Sequence, residues 1–215
     1  MYISKINYLN FQSDKKQAKI GKSRLDFYEN HDIKEDEVTI IDKKLAIGRA
    51  PGSPQYPQVG DANPNNYTYD FHTILRDIEF LNTHFNVDTV IDLRNPKYEG
   101  NTFASAEADA CELKGVNYFN IPLDSGIAPT KEEVEKLLEI INKSKNRVYI
   151  HCHAGRDRTG IMTSCYLAKT SRKTQKEAFK QVFEDRKITP LKYMYGQPEE
   201  CKKLSALLID LAKKQ

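Results

Sequence analysis

The sequence lacks most of what would hold a chain together without a large apolar core. Its four cysteines, Cys111, Cys152, Cys165 and Cys201 in 215 residues, contain no CxxC pair. That excludes a disulfide-stapled scaffold and a cysteine-rich zinc fold, and it fits a reducing compartment. No apolar run approaches the roughly 20 residues of a membrane-spanning helix; the longest lie near Ile140 and Leu207. An excess of one charge is missing too. Thirty-three Lys and Arg against thirty Asp and Glu leave +3, too near balance for a chain built along a nucleic-acid backbone, so any basic site has to be local. Ten Gly and nine Pro, with 39% hydrophobic and 29% charged residues, exclude collagen-like, low-complexity and wholly disordered chains. Met1 to Asn10 has neither the basic start nor the apolar stretch of a secretory signal, and no internal repeat is visible. The expectation is one globular domain in a cytosol, that of its own cell or, by a non-classical route, that of a host.

What is present falls into a pattern. Residues 1–37 are polar, Lys-rich and weakly periodic and read as an irregular lead-in. Val38–Ile41 and Leu45–Ile47 flank a polar turn and predict a β-hairpin. Pro51 to Asp70 holds four Pro, two Gly and three Asn, a long loop of the kind that tends to be functional or disordered. Ile74, Ile78, Leu81 and Phe85 recur at helical spacing, and Val87–Leu93 reads as a buried strand. A helix near Ala104–Lys114 leads to a strand at Val116–Ile121. Thr130 with Glu133 predicts a capped helix whose apolar stripe is Val134, Leu137, Leu138 and Ile141. A strand at Arg147–His151 is followed by helices near Thr159–Thr170, Thr174–Arg186 and Glu199–Lys213. Strands alternating with helices predict an α/β fold, a central and mainly parallel sheet flanked by helices.

The informative stretch is His151-Cys152-His153-Ala154-Gly155-Arg156-Asp157-Arg158-Thr159-Gly160, between a predicted strand and a predicted helix. A bare Cys-x5-Arg carries little weight. With His before the Cys, Gly three residues after it and Thr-Gly after the Arg, the stretch resembles the phosphate-binding loop HCxxGxxR(S/T) of the cysteine-dependent protein-tyrosine and dual-specificity phosphatase superfamily. In layout the resemblance runs from about Ile40 to the end, which implies one phosphatase domain over 38–215. The chemistry follows from the residues. A loop leaving a strand and entering a helix turns successive N–H groups inward over the helix N-terminus, a cradle for a tetrahedral oxyanion. His153, Ala154, Gly155 and Arg156 line it, with Gly155 permitting the curl. Arg158 can hold two phosphoryl oxygens with a planar fork that Lys lacks. The same donors should lower the thiol pKa of Cys152, making it a thiolate that forms and then loses a phosphocysteine. Neither metal nor cofactor is needed for this. The resemblance further implies that the Thr159 hydroxyl stabilises the thiolate as leaving group and that His151 braces the loop.

A proton for the leaving group is expected from an Asp about thirty residues before the Cys in this superfamily, and Asp124, in Ile121-Pro122-Leu123-Asp124-Ser125-Gly126, is the candidate. Asp157 is its rival. The Cys-x4-Asp-Arg-Thr variant resembles bacterial broad-specificity and phosphoinositide phosphatases, and a salt bridge to Arg158 is the structural alternative for that carboxylate. Arg94, at the end of a predicted strand, is placed where α/β sheets bind ligands and is a candidate substrate contact; Arg49 is placed similarly and more weakly, and for both the alternative is a structural salt bridge. Lys143, Lys145 and Arg147 would add positive charge. Tyr56, Tyr67, Tyr69, Tyr193 and Tyr195 could wall a phosphotyrosine cleft, and Gln197 could position water. Cys111, Cys165 and Cys201 read as core thiols.

The implied activity is hydrolysis of phosphotyrosine proteins, with phosphoserine or phosphothreonine as an extension, or of phosphoinositides. A lipid substrate would bring at most peripheral membrane contact, and no nucleic-acid partner is expected. Alternatives are an inositol polyphosphate phosphatase, an RNA 5′-phosphatase sharing the HCxxGxxRTG loop, a catalytically dead phosphate-binding module and, least, a rhodanese-like sulfur carrier.

Overall fold

Alternation along the strands gives the sheet two apolar faces. In β2 (Leu45–Gly48), β3 (Val87–Asp92) and β5 (Arg147–His151), Leu45, Ile47, Ile91, Val148 and Ile150 point to one side. Ala46, Val90 and Tyr149 point to the other, the period of two that a pleated strand imposes. A strand buried on both faces has to be apolar almost throughout, and all four residues of β2 are buried. With β1 (Thr39–Ile40) and β4 (Asn117–Asn120) the strands form one sheet in the order β1-β2-β5-β3-β4. β1 pairs antiparallel and the other pairs are parallel. The computed structural model describes residues 32–52, 71–99, 101–171, 173–184 and 197–213, which all lie in the compact unit His31–Gln215.

One face is covered by α1 (Phe71–Phe85) and α3 (Asn101–Leu113), which place Ile74, Ile78, Leu81, Ala110 and Cys111 on it. The other carries α4 (Lys131–Lys143), α5 (Asp157–Ser171) and α7 (Pro198–Ala212). Each large apolar side chain so enclosed stabilises the fold by about 1.5–3 kcal/mol. The predicted capping box is present: the Thr130 hydroxyl accepts from the Glu133 amide, and Glu133 accepts from the Thr130 amide at 2.7 Å. A short helix, α2 (Pro96–Glu99), stands between β3 and α3.

The hairpin forms as expected, its turn held by Asp42 Oδ1 accepting from the amides of Lys44 (2.7 Å) and Leu45 (2.9 Å). Part of the predicted lead-in is packed rather than irregular. Glu35–Glu37 is a 3-10 turn and Ile33 belongs to the core, because the buried Asp77 carboxylate takes the Ile33 amide at 2.6 Å. The helix expected over Thr174–Arg186 is α-helical at Gln175–Phe179 (α6) and widens to a π turn at Lys180–Glu184. That turn delivers Val182 and Phe183 to the core. The Phe183 ring lies where a side chain at Gly160 would stand, 2.3 Å from a Cβ there, so α5 and the π turn approach closely only because residue 160 is glycine. Residues 1–31, most of the Pro51–Asp70 loop, Arg186, and Tyr56, Tyr67, Tyr69, Tyr193 and Tyr195 lie outside the described residues.

Because β2, β3, β4 and β5 are parallel, their C-terminal ends lie at one edge, the edge where open α/β sheets bind ligands. Register puts His151 beside both Gly48 and Asp92, and Asp92 beside Asn120. Four loops therefore converge there.

Candidate active site

β5 ends at His151, and α5 begins six residues later at Asp157. Between them the chain makes a tight loop seated on the end of β2. The Ala50 amide donates to the His153 carbonyl at 3.0 Å. Gly155 has φ +65°, and a Cβ there would fall 2.0 Å from the Gly48 carbonyl oxygen. Any side chain at 155 would both strain the backbone and push the loop off its seat. α5 then runs through the middle of the molecule, buried from Arg158 to Ala168, so the loop cannot move without the core.

Cys152 lies at the floor, buried. Burial alone would push its thiol pKa up, but the Arg158 guanidinium, the Thr159 hydroxyl and the amides of Thr159 and Arg156 outweigh it and hold the thiol below its ordinary value. Thr159 Oγ1 is itself buried with no hydrogen-bond partner among the described residues, which leaves its proton available to the sulfur. Arg158 is nearly enclosed, and its Nη1 reaches the Leu123 carbonyl at 3.5 Å. His153 and Ala154 are half-buried and Arg156 is exposed at the rim. A buried thiol with its pKa held down, the amides of Arg156 and Thr159 and one guanidinium are a donor set of the kind that can receive a tetrahedral dianion.

Behind the loop His151 is fully buried. Its Nδ1 faces the Cys152 carbonyl at 3.0 Å and its Nε2 faces Glu107 Oε1 at 2.6 Å. Both partners are acceptors, so both nitrogens carry protons. Desolvation opposes that charge, but Glu107 and Asp92 prevail and raise the His151 pKa. Burial likewise disfavours the Asp92 carboxylate, yet His151 and Arg94 hold its pKa down. Here the expectation for Arg94 as a substrate contact is corrected. Its guanidinium is 4% exposed, forks onto Asp92 at 2.9 and 3.0 Å and also bonds Glu107. The strand end turns it inward, to neutralise two buried acids. Asp92, Glu107 and His151 offer ligand atoms within 4.8 Å of one another, but Arg94 already provides a cation to both carboxylates.

Asp124 is exposed, on the turn between β4 and α4. The turn is tied to neighbours at both ends: Leu123 donates its amide to the Leu93 carbonyl at 3.2 Å, and Ala128 donates to Glu200 Oε2 on α7 at 2.9 Å. Lys203 and the Ala128 amide hold the Glu200 carboxyl below its ordinary range. Asp124 Oδ1 accepts from Asn95 Nδ2 at 2.6 Å. Asp157, half-buried in the first turn of α5, has no side-chain partner among the described residues, so the expected alternative of a salt bridge to Arg158 is not formed.

Other expected contributors lie elsewhere. Arg49 pairs with Glu37 at 3.3 Å. Lys143, Lys145 and Arg147 precede or begin β5, one strand length (about 16 Å) from the loop at its other end. They cannot add to its charge as expected, and Lys143 pairs with Glu139. Gln197 stands at the N-cap position of α7, without a side-chain capping bond, and is exposed. Cys111 and Cys165 are buried thiols whose pKa burial pushes up, that of Cys165 to about 12; Cys201 is a half-buried thiol packed against the core. Sequence reasoning missed Glu107, Asn95 and Glu200. Each reaches the site across 29 to 72 residues, and neither residue type nor spacing signals such a contact.

Comparison with known proteins agrees with this geometry. A family model described as DSP-PTPase phosphatase fused to NAD+ kinase matches residues 79–195. Dual specificity protein phosphatase CDC14B of Mus musculus is 28% identical over 156 residues, 72% of this chain and 29% of that protein. Probable NAD kinase 2, chloroplastic, of Oryza sativa subsp. japonica is 34% identical over 77 residues, 35% of this chain and 8% of that protein. The chain thus spans less than a third of the length of these curated relatives. Among solved structures, PTPMT1 in complex with PI(5)P superposes with a TM-score of 0.57 at 19% identity, over 81% of this chain and 96% of that one, and so shares the fold. The family match covers the ends of β3, β4 and β5 as well as the loop, and the chain belongs to the family of DSP-PTPase phosphatases described as fused to NAD+ kinase.

Proposed function

We propose that the chain hydrolyses phosphomonoesters through a phosphocysteine on Cys152. The observation that carries this reading is Cys152 buried at the floor of a loop that Gly155 seats on β2 and that enters α5 beside the nearly enclosed Arg158, an arrangement that holds the thiol below its ordinary pKa. The thiolate attacks phosphorus in line, the S–P bond forms and the bond from phosphorus to the leaving oxygen breaks. Arg158 and the amides follow the charge on the three equatorial oxygens, a task that metal ions perform in other phosphoryl-transfer enzymes. Asp124 gives its proton to the leaving oxygen, which departs as an alcohol or phenol. Water then attacks the phosphocysteine, passes a proton to the Asp124 carboxylate and releases phosphate and the thiolate. The Arg158 contact to the carbonyl of Leu123 supports Asp124 over Asp157, because it sets the Asp124 turn against the guanidinium that grips the phosphoryl group. His151 braces the loop from behind.

The substrate class we infer is a phosphoprotein or a phosphoinositide. The relatives named as dual specificity protein phosphatases support the first. The PTPMT1 structure solved with PI(5)P, with His153 and Arg156 at the rim, supports the second. A panel at equal concentrations decides: phosphotyrosine and phosphoserine peptides, phosphoinositides, soluble inositol phosphates, 5′-triphosphate RNA and, given the family description, NADP+. Cys152→Ser is expected to abolish turnover of every substrate, a loss of at least about 10⁴-fold. Unchanged activity in that variant, or none in the unaltered chain, would refute the reading, the latter leaving a phosphate-binding module.

A further inference from the structure

The turn bearing Asp124 is exposed, yet a hydrogen bond of 2.6 Å reaches its carboxylate from Asn95, on a different strand end. We infer that Asn95 is a positioning residue for the proton-donating step, its side-chain amide holding one oxygen of Asp124 so that the other faces the leaving group. This rests on the reading of Asp124 as the acid.

The orientation of the Asn95 amide is set by its other end. Its Oδ1 accepts from the Lys97 backbone amide at 3.1 Å, which assigns the carbonyl oxygen to α2 and leaves the NH2 group for Asp124. The backbone beneath Asn95 is held rigidly. Arg94 donates its amide to Asp92 Oδ1 at 2.8 Å while its side chain forks onto the same carboxylate. The Asn120 side-chain amide bridges the carbonyls of Asp92 and Arg94, both at 2.9 Å. Pro96 follows and limits the backbone of residue 95. The buried cluster that seats His151 behind Cys152 therefore also fixes Asn95 beside Asp124. The nucleophile after β5 and the acid on the turn after β4 are set at a distance by one group of side chains gathered around Asp92, at the end of the strand between them. A carboxylic acid acts in proton transfer only when an oxygen lies within hydrogen-bond reach of the atom it protonates. On a turn open to solvent, a side chain with free χ1 and χ2 would satisfy that condition only part of the time. Asn95 removes that freedom without adding charge.

The test uses the full chain with an alkyl and an aryl phosphate, since a poor alkyl leaving group needs the proton and p-nitrophenolate scarcely does. Asn95→Ala is expected to lower kcat about tenfold on the alkyl ester and less than about twofold on p-nitrophenyl phosphate, with KM unchanged on both. The rate of Cys152 alkylation by iodoacetate should stay at the starting value, showing that the loop is intact. Asp124→Asn is expected to lose about 10²-fold or more on the alkyl ester. Adding Asn95→Ala to Asp124→Asn should then cost nothing further. An equal loss on both esters, no loss at all, or a full loss persisting in the Asp124→Asn background would overturn the inference while the acid reading stood. Full alkyl activity in Asp124→Asn would remove the acid reading, and this inference with it.

Discussion

The loop of residues 152–158 and the turn of residues 122–129 face each other across Arg158, and they are built in opposite ways. The loop is contiguous, buried, and backed by a helix that is enclosed from Arg158 to Ala168; its ligating groups are its own amides. The turn has an exposed acid at Asp124 and is located by ties from β3, α7 and the loop itself. The contrast matches the two tasks proposed for them. Stabilising charge needs donors that do not reorganise, which burial secures. Giving up and regaining a proton needs access to leaving group and water, which burial would deny.

If the contrast is real, damage to the loop should be severe on all substrates and damage to the turn graded by leaving group. After the loss expected of Cys152→Ser, the largest effect is for Arg158→Lys, about 10³-fold in kcat on alkyl and aryl esters alike, because a point charge cannot reproduce the fork. Gly155→Ala should also fail on every substrate, since its Cβ meets the Gly48 carbonyl at 2.0 Å.

Glu107→Leu moves the test to stability. It leaves Arg94 and His151 short of a buried anion and should cost about 3–5 kcal/mol, read by chemical denaturation. The pH dependence follows from the same cluster. His151 has a folded pKa above its ordinary 6.5, so its contribution is complete below pH 6.5 and is lost as pH rises through the folded value. Asp92 has a folded pKa below 3.8, so its contribution is present above pH 3.8 and lost as pH falls through the folded value. The alkaline loss should be smaller in Glu107→Leu, where only Asp92 still favours the charged imidazole; an undiminished loss would move its origin away from His151.

Two smaller effects separate sulfur from turn. In Thr159→Val the pH at which iodoacetate begins to alkylate Cys152 should move upward, because a donor to the thiolate is gone. Glu200→Gln should loosen the Ala128 end of the turn and cost a few-fold on alkyl esters only. An equal loss on aryl esters would mean that α7 supports the loop, not the turn.

How much of this could be read in advance differs by element. The hairpin, the helix capped by Thr130 and the strand at Arg147–His151 follow from periodicity and turn residues, and all are present. Residues 33–37 were not legible as packed structure, because Ile33 is held by Asp77, 44 residues away. The π turn at Lys180–Glu184 has no local sign either; it exists because Phe183 fits against Gly160. Arg94 shows the opposite difficulty. Its place at a strand end was legible, but the direction of its side chain depended on Glu107 and Asp92.

Local order along the chain was enough to specify the α/β class, the parallel sheet and the loop around Cys152 and Arg158, because strand, loop and helix there are consecutive and every donor comes from neighbouring residues. Distances between separate strand ends were not encoded locally. Parallel register brought β2, β3, β4 and β5 to one edge, and burial then turned Arg94 inward, made His151 a partner of Glu107 and left Asn95 beside Asp124. Long-range polar contacts of this kind depend on which side chains share a low-dielectric space, and that is a property of the packed molecule.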